Sequence, residues 1–255
     1  EKGRFTAMRK REKRYPSVRE ATQAEHIGMV REIFGTITDR YDFLNHFLSL
    51  RRDVAWRRFA VRQMRFFKTN RYLDVACGTG DLVLDVASRN ARIEAVGIDF
   101  VKEMLVKARL KLKKRGVPIR LVMGDATELP FTSDSFDVAC IAFGIRNIPE
   151  RMKALREMKR VVAPGGQVMI LEMTLPPNKI IRKAHLFYLE KMLPNLARFF
   201  TANPSAYIYL ADSIKNFPAP DQFAATMEEA GLLEIKKYAL TLGTTWLFVG
   251  TKSLR

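Results

Sequence analysis

The sequence has few cysteines, few histidines and no long apolar run. Among 255 residues there are 2 cysteines and 3 histidines, and Cys77 and Cys140 lie in apolar segments without metal-ligand spacing. A disulfide scaffold is therefore excluded, no metal site is expected, and a reducing compartment is favoured. The longest apolar runs, such as Val138 to Phe143, are far shorter than the roughly 18 residues that a membrane-spanning helix needs. The basic N-terminal residues are not followed by the apolar region of a secretory signal.

Acidic residues are also scarce relative to basic ones. The chain has 44 Lys+Arg and 27 Asp+Glu, which gives a formal net charge of +17, and its sequence pI is about 10.1. The excess positive charge is concentrated in residues 1–19, 51–71 and 107–120. Such a surface attracts polyanions or anionic lipid. Solvated helix faces and a flexible tail would explain each cluster equally well.

The pattern of apolar residues predicts a basic tail at 1–22 and one α/β domain over 23–255. Helical spacing predicts an N-terminal cap of two or three helices at 23–68, broken near 41–45 and 49–52. Further along the chain, apolar strands alternate with helices, which is typical of a doubly wound, mostly parallel sheet. Five such strands are predicted at 72–76, 94–98, 120–123, 136–143 and 167–173, and the helices between them at 81–88, 102–115 and 150–162.

Two more strands complete the predicted seven-stranded sheet. They lie at 233–240 and 245–251 and form an antiparallel closing hairpin. Between the fifth strand and this hairpin lies a helical insertion, 175–220, rich in apolar residues. Two interpretations of the insertion are compatible: a helical subdomain packed on the sheet, and a lid around an apolar substrate.

Glycines and acidic side chains follow the ends of the first predicted strands. Gly78, Thr79 and Gly80 lie between a strand and a helix, where a ligand can approach the backbone and the helix N-terminus. Asp99, at the end of the next strand, is spaced to accept both ribose hydroxyls of a bound adenosine. NAD and S-adenosylmethionine (AdoMet) would both satisfy this pattern.

Two further aspartates separate these cofactors. Asp74, at the end of the first strand, can pair with a ligand ammonium and tolerate a sulfonium, whereas it would repel a pyrophosphate. Asp125, after the third strand, can accept a hydrogen bond from the adenine amine while the neighbouring amide of Ala126 contacts the ring. Each aspartate alone is more often a helix cap or a turn residue. Three in series, each after its own strand, predict an AdoMet pocket.

These motifs resemble those of class I AdoMet-dependent methyltransferases, and three others resemble the UbiE/COQ5 family of demethylmenaquinone/ubiquinone C-methyltransferases. The resemblance extends from about residue 30 to residue 252. It implies AdoMet contacts at Thr79, Asp99, Asp125 and Ala126, and Ala142 stands where the family often has a serine that contacts the cofactor. The three narrower motifs are Arg40-Tyr-Asp-Phe-Leu-Asn45, Ala142-Phe-Gly-Ile-Arg-Asn147 and Ala211-Asp-Ser-Ile-Lys-Asn-Phe-Pro218.

The reaction that this resemblance implies requires an electron-rich ring carbon. A quinol supplies one when a hydroxyl loses its proton, and a nearby cation stabilises the resulting charge. Arg146, just after the fourth strand, is the expected cation, and Asn147 would hold the second hydroxyl or a water. Tyr41 would close over the site, with His46 a weaker candidate for the proton acceptor. Without the resemblance, Arg146 would be interpreted as a surface ion pair and Tyr41 as a packing residue.

The expected function is AdoMet-dependent C-methylation of a prenylated quinol, with demethylmenaquinol preferred and a ubiquinone-pathway benzoquinol as the alternative. Because a prenylated quinol resides in the bilayer, the basic clusters predict peripheral binding to an anionic membrane. The enzyme would be cytoplasmic and would attach to the inner face of the cell membrane, with the insertion as an apolar route to the site. Some relatives form homodimers, which this sequence neither indicates nor excludes.

Three other functions are compatible with parts of the sequence. The charge is also typical of a nucleic-acid methyltransferase, but the Asn/Asp-Pro-Pro-aromatic motif of such enzymes is replaced by Gly144-Ile-Arg-Asn147. A non-enzymatic basic module that binds RNA or lipid would not need Thr79, Asp99, Asp125 and Arg146 together. The sequence lacks the third glycine of the NAD fingerprint and an NAD enzyme would have no task for Asp125, which disfavours an NAD oxidoreductase. Because the motif of nucleic-acid methyltransferases is also absent, nucleic acid is not an expected partner.

Overall fold

The computed structural model describes residues 16–17, 20–37, 42, 46, 49–89, 92–195 and 205–254. Most of the predicted tail lies outside these ranges. The same is true of Tyr41 and of most of the predicted helix break at 41–45. No helix among the described residues is both long enough and apolar enough to cross a bilayer.

The described residues form one seven-stranded sheet with antiparallel closing strands, as predicted. Its strands are β1 (Arg71–Val75), β2 (Glu94–Asp99), β3 (Arg120–Met123), β4 (Phe136–Ala142), β5 (Val162–Met173), β6 (Leu233–Leu240) and β7 (Thr245–Thr251). Their order across the sheet is β3-β2-β1-β4-β5-β7-β6. The first five strands run parallel, and β7 is antiparallel to both of its neighbours. The doubly wound α/β fold is therefore confirmed.

Eight α-helices accompany the sheet in the described ranges: α1 (Gln23–Ile37), α2 (Arg52–Gln63), α3 (Asp81–Arg89), α4 (Lys102–Lys114), α5 (Arg151–Val161), α6 (Lys179–Phe187), α7 (Ser205–Lys215) and α8 (Pro220–Glu229). Alternate strand residues point to opposite faces of the sheet. Leu73 and Ile141 pack on one face with α5 and α8, whereas Tyr72 and Cys140 pack on the other with α2 and α3. Because both faces are covered, the central strands are mostly apolar.

A third core joins the N-terminal cap to the insertion. Met29, Val30 and Ile33 of α1 pack against Leu189 and Leu193, which follow α6, and against residues of α7. A five-residue π-helical turn, Tyr188–Met192, continues directly from α6. The two segments therefore pack on each other above the same end of the sheet.

The fifth strand begins earlier than the sequence predicts. The predicted helix at 150–162 and the predicted strand at 167–173 leave the glycines at 165 and 166 between them. In the structure these glycines lie inside β5, at a shift of register against β4. Gly165 has a φ of +80°, which favours glycine. A Cβ on Gly166 would lie 2.7 Å from the carbonyl oxygen of Ala163. These glycines permit an irregular strand, and helix α5 ends at Val161.

Candidate active site

A cleft lies at the carboxyl ends of β1, β2 and β4, which we call the first cavity. Strand order reverses here, because β2 lies on one side of β1 and β4 on the other. Ligands of open α/β sheets bind at such a switch point. The wall opposite the sheet is formed by α1, and the lining from the sheet side includes Gly78, Asp99, Gly124, Asp125, Ala126 and Ala142.

The backbone is strained where β1 and β4 end. Ala76 and Phe143, each the first residue after its strand, have φ angles of +53° and +57°, and both line the first cavity. Non-glycine residues with positive φ are uncommon and cluster at ligand sites. The two turns also approach closely, since a Cβ on Gly144 would lie 3.0 Å from that of Ala76. The turns therefore fit together closely at the switch point.

The cleft has the donor and acceptor chemistry that an adenosine needs. The carboxylate of Asp99 accepts hydrogen bonds from the backbone N–H groups of Gly78 and Val101, at 2.7 and 2.9 Å. Burial raises its pKa above the usual range. Asp125 accepts from the backbone N–H of Thr127 at 2.7 Å. Apolar side chains at 100, 101 and 104 line the same cavity, so that acceptors and an apolar surface for the adenine ring occur together.

Three residues predicted to bind the cofactor lie outside the lining of this cavity. The buried Asp74 accepts a hydrogen bond from the backbone N–H of Val83 at 3.1 Å, at the start of α3. Burial raises the pKa of Asp74 to about 8. Gly80 has a φ of +81° and donates its backbone N–H to the carbonyl oxygen of Cys77 at 2.9 Å. Both residues shape the turn between β1 and α3.

Thr79, the third of these residues, belongs to a polar network that sequence reasoning missed. Its hydroxyl donates to Asp42 Oδ1 at 2.5 Å and accepts from Lys111 Nζ at 3.0 Å. Lys111 also forms ion pairs with Asp42 and Asp81, both at 2.7 Å. Asp42 lies within the Arg40 to Asn45 motif, so this motif could have identified it as a residue of the site. The network ties this motif to the glycine turn.

A second cavity, larger and mostly apolar and aromatic, adjoins the first. It occupies about 1630 Å³ when its open mouth is included. Residues of α1, α2, α6, α7 and the turn before β7 form its walls. Phe34 and Phe143 line both cavities and so form the boundary between them. Residues of the insertion form one of these walls.

The predicted catalytic pair, Arg146 and Asn147, lies in a short 3₁₀ turn beside this boundary. Arg146 lines the second cavity, and its buried guanidinium donates Nη1–H to Glu172 Oε1 at 2.6 Å. Arg146 therefore forms an ion pair, as expected without the family resemblance, but the pair is buried and does not lie on the surface. Asn147 lines the first cavity, and its Oδ1 accepts from the Tyr209 hydroxyl at 3.1 Å. That hydroxyl also lies 2.9 Å from His26 Nε2.

Tyr41 and His46 are the other two residues that were predicted to take part in the chemistry. Tyr41 lies outside the described residues. His46 Nδ1 is 2.6 Å from Asp53 Oδ2, and His46 is not among the residues that line either cavity. Burial of Asp53 would raise its pKa, but hydrogen bonds from Ser49 and Arg57 outweigh burial and lower it. No cluster of three or more His, Cys, Asp or Glu residues in the described ranges could hold a metal ion.

The sheet order, the adenosine-type cleft and the adjoining apolar cavity define an AdoMet-dependent methyltransferase. Two solved structures show the same fold. A SAM-dependent methyltransferase of Thermotoga maritima has a TM-score of 0.60 at 20% identity, covering 87% of this chain and 99% of that one. A phosphoethanolamine N-methyltransferase of Haemonchus contortus with bound AdoMet has a TM-score of 0.60 at 16% identity, covering 86% and 60%.

The chain belongs to the ubiE/COQ5 methyltransferase family, whose model matches residues 19–252. A ubiquinone/menaquinone biosynthesis C-methyltransferase UbiE of Geobacter sp. (strain M21) is 42% identical over 226 residues, which are 88% of this chain and 96% of that protein. A demethylmenaquinone methyltransferase of Thermus thermophilus is 40% identical over 220 residues, which are 86% and 100%. The resemblance stated from the motifs is thereby confirmed.

Proposed function

We propose that this enzyme methylates a ring carbon of a prenylated quinol, and that demethylmenaquinol is its preferred substrate. Family membership and the names of the relatives support this function. The single observation that carries it is the second cavity, which is mostly apolar and separated from the cofactor cleft by Phe34 and Phe143. A quinol ring in that cavity would face the first cavity across these two side chains.

Bound AdoMet would supply an electrophilic methyl group at the boundary of the two cavities. In this proposal, Asp99 accepts the ribose hydroxyls and Asp125 accepts the adenine amine. The backbone at Gly78 and Ala126 lies against the ligand, and Ala142 leaves space without a hydroxyl contact. Asp74, Thr79 and Gly80 hold the turn that presents Gly78, and their own contacts with the ligand stay a prediction.

Arg146 and Asn147 would act on the substrate. A guanidinium in a buried site stabilises a developing phenolate more strongly than it would in water. Glu172 holds that guanidinium in place, because its carboxylate also accepts the backbone N–H groups of Arg146 at 3.3 Å and Met173 at 2.8 Å. Tyr209 fixes the Asn147 amide, so that Asn147 Nδ2 remains available to a substrate hydroxyl or a water.

A methyl-transfer assay tests the function. Labelled AdoMet is mixed with a short-chain naphthoquinol and a short-chain benzoquinol, both kept reduced. We expect label on the naphthoquinol ring and loss of labelling in Arg146→Ala. The matched control is Arg156→Ala, because Arg156 is exposed on helix α5. Binding of AdoMet without labelling of either quinol would contradict the proposal.

We further propose that the mouth of the second cavity docks on an anionic membrane, at the inner face of the cell membrane. Leu50 lines this cavity and Leu242 follows Thr241, which also lines it. The two leucines are 82% and 73% exposed. Their φ angles are +51° and +57°, so the chain adopts strained turns that present leucines to solvent. Ile180 and Phe187, on the lid helix α6, are 81% and 60% exposed.

Charge near the mouth supports the same docking surface. Arg51 and Arg52 follow Leu50, and the exposed side chains of Lys179, Arg182 and Lys183 lie on α6. Each basic residue near an anionic leaflet contributes roughly 1 kcal/mol of binding free energy. Apolar side chains inserted among the head groups would add to this attraction. The cavity mouth would then open toward the lipid in which a prenylated quinol resides.

Flotation with vesicles of phosphatidylglycerol and phosphatidylcholine tests the docking surface. We expect salt-sensitive flotation of the native protein and a marked decrease in the double variant Leu50→Ser, Leu242→Ser. Leu254→Ser is the matched control: Leu254 is 81% exposed, but it lies by Gly165 near the other end of β5. Equal losses in both variants, or no flotation of the native protein, would contradict this docking surface.

A further inference from the structure

Three polar side chains form a hydrogen-bonded series from the N-terminal cap to the turn of the predicted catalytic pair. His26 Nε2, on α1, lies 2.9 Å from the hydroxyl oxygen of Tyr209, on α7. The Tyr209 hydroxyl donates to Asn147 Oδ1 at 3.1 Å. His26 and Tyr209 are buried, and their rings meet edge to face with centroids 6.1 Å apart. We call these three residues the polar triad.

The packing of α1 holds His26 against Tyr209. Met29 and Val30 follow His26 by three and four residues, which places all three side chains on one face of the helix. Met29 and Val30 belong to the third core, and Tyr209 belongs to the same core. The polar triad therefore depends on the packing of the cap on the insertion.

The hydrogen bonds of the polar triad can run in two directions, because a phenol has only one hydroxyl proton. In the first direction the imidazole donates to Tyr209, and Tyr209 donates to Asn147 Oδ1. In the second, Asn147 Nδ2 donates to Tyr209, and Tyr209 donates to the imidazole. The two ends of an amide are almost equal in size, so the network decides which end faces Tyr209. The position of the proton on His26 thereby decides which end of the Asn147 amide faces away from the triad.

The structure has the first direction, since Tyr209 donates to Asn147 Oδ1. Burial raises the pKa of Tyr209 above its usual range, so the hydroxyl keeps the proton that it donates. Burial, with a smaller effect from the charge of Arg151, lowers the pKa of His26. The imidazole is therefore neutral at pH 7 and carries one proton. The first direction requires this proton on Nε2.

This direction leaves Asn147 Nδ2 available to a ligand. Among the described residues this nitrogen has no hydrogen-bond partner, and it is not one of the buried polar atoms that lack one, so it is accessible. Asn147 lines the first cavity and lies in the turn that follows Phe143, which lines both cavities. The amide therefore presents a donor, and not an acceptor, near the boundary of the two cavities.

We propose that His26 is a positioning residue, whose Nε2–H orients Asn147 through Tyr209 so that Asn147 Nδ2 donates to an oxygen of the quinol. This inference rests on the proposed function. A donor stabilises the negative charge that develops on a quinol oxygen, whereas an amide oxygen in the same place would repel it. The packing of the cap on the insertion thereby sets the polarity of a group that acts on the substrate.

Asn147→Ala and Asn147→Asp test which end of the amide acts. Aspartate keeps an acceptor for Tyr209 but replaces the donor with a carboxylate oxygen. The loss of one donor to a developing negative charge lowers kcat about 10²–10³-fold, so we expect that loss in Asn147→Ala and a still lower kcat in Asn147→Asp. A higher kcat in Asn147→Asp than in Asn147→Ala, or a raised Kd of AdoMet with an unchanged kcat, would overturn the donor role.

His26→Lys and His26→Glu test the positioning role, because an ammonium can only donate and a carboxylate can only accept. At pH 8, His26→Lys should keep most of the native kcat. His26→Glu should lower kcat about tenfold, since the amide must break one hydrogen bond to present Nδ2. The positive charge of Arg151 near this site favours glutamate over lysine, so a merely structural role predicts the opposite order. Equal kcat values, or a lower kcat in His26→Lys, would overturn the inference.

Tyr209→Phe should disconnect the two ends of the triad. Combined with this change, lysine and glutamate at position 26 should give the same kcat, because the direction no longer reaches Asn147. A difference that persists in the combined variants would overturn the role of Tyr209. Glu32→Lys is the matched control, since Glu32 is exposed on the same helix and compares the same two side chains away from the triad. It should leave kcat unchanged.

Nitrogen-15 NMR of the ligand-free protein gives a readout that does not depend on turnover. With only 3 histidines in the chain, the ring signals can be assigned from single variants. We expect the His26 proton on Nε2 and a bare Nδ1 at pH 8. A proton on Nδ1 would overturn the inference. If the proton is on Nε2 but neither quinol is methylated, the orientation of Asn147 by His26 stands and the proposed function fails.

Discussion

Replacing Glu172 by glutamine should destabilise the protein far more than the loss of an ordinary ion pair. The Glu172 side chain is 0% exposed and that of Arg146 is 5% exposed, with Oε1 2.6 Å from Nη1. Glutamine preserves the shape of the side chain and removes only its charge. The guanidinium of Arg146 would then be buried without a counterion.

The expected magnitude follows from burial. An uncompensated buried charge costs about 3–5 kcal/mol, whereas an exposed ion pair contributes about 0.2–1 kcal/mol. Arg146→Met should cost a similar amount, because it leaves the carboxylate unpaired. The double variant should lose less than the sum, with a coupling energy of about 2–3 kcal/mol, since neither charge remains alone.

Equilibrium urea unfolding of the native protein, both single variants and the double variant measures these free energies. Glu94→Gln is the control, because Glu94 pairs with Arg71 at 3.2 Å but is 61% exposed, and it should cost less than about 1 kcal/mol. A loss under about 1 kcal/mol in Glu172→Gln, or additive single variants, would refute the argument from burial.

Three further outcomes are expected. Asp99→Asn should raise the Kd of AdoMet about 10–100-fold by calorimetry, and an unchanged Kd would rule out its contact with ribose. Because the folded-state pKa of Asp74 is raised to about 8, its ionisation opposes folding, so stability should fall as pH rises from about 4 toward 8. Asp74→Asn should remove that part of the pH dependence in unfolding curves. Burial of Asp137 opposes its ionisation, but hydrogen bonds from the backbone N–H groups of residues 67–70 lower its pKa overall. Its contribution should therefore be present above the unfolded pKa near 4 and lost as pH falls through the folded value, and Asp137→Asn should cost about 1–3 kcal/mol at pH 7.

Asp74, Thr79 and Gly80 show how one motif can serve a site indirectly. They were predicted to touch the cofactor, and that contact stays a prediction, since their described hydrogen bonds go to Val83, to Asp42 and Lys111, and to Cys77. A helix cap and a network of this kind hold the glycine turn rigidly. Preorganised turns lower the entropic cost of binding a ligand.

Local patterning predicted most of the sheet. Strands β3, β6 and β7 have the predicted bounds. The other four strands and helices α3 to α5 differ from the predicted bounds only at their ends. A strand that is buried on both faces is mostly apolar, so that its sequence identifies it. Helix α8 was not predicted. It begins where the predicted insertion ends, and its apolar residues Phe223 and Met227 pack on the sheet core.

The sequence by itself determined the order of the strands along the chain and the acidic and glycine residues at their ends, because these depend on neighbours a few positions apart. Only the tertiary structure decided which groups meet across the site. Glu172 lies 26 residues from Arg146, and Tyr209 lies 62 residues from Asn147. Residues of helix α6 and of the last strand line one cavity. Such contacts depend on how elements that are far apart in the sequence pack together, and no local sequence pattern encodes that packing.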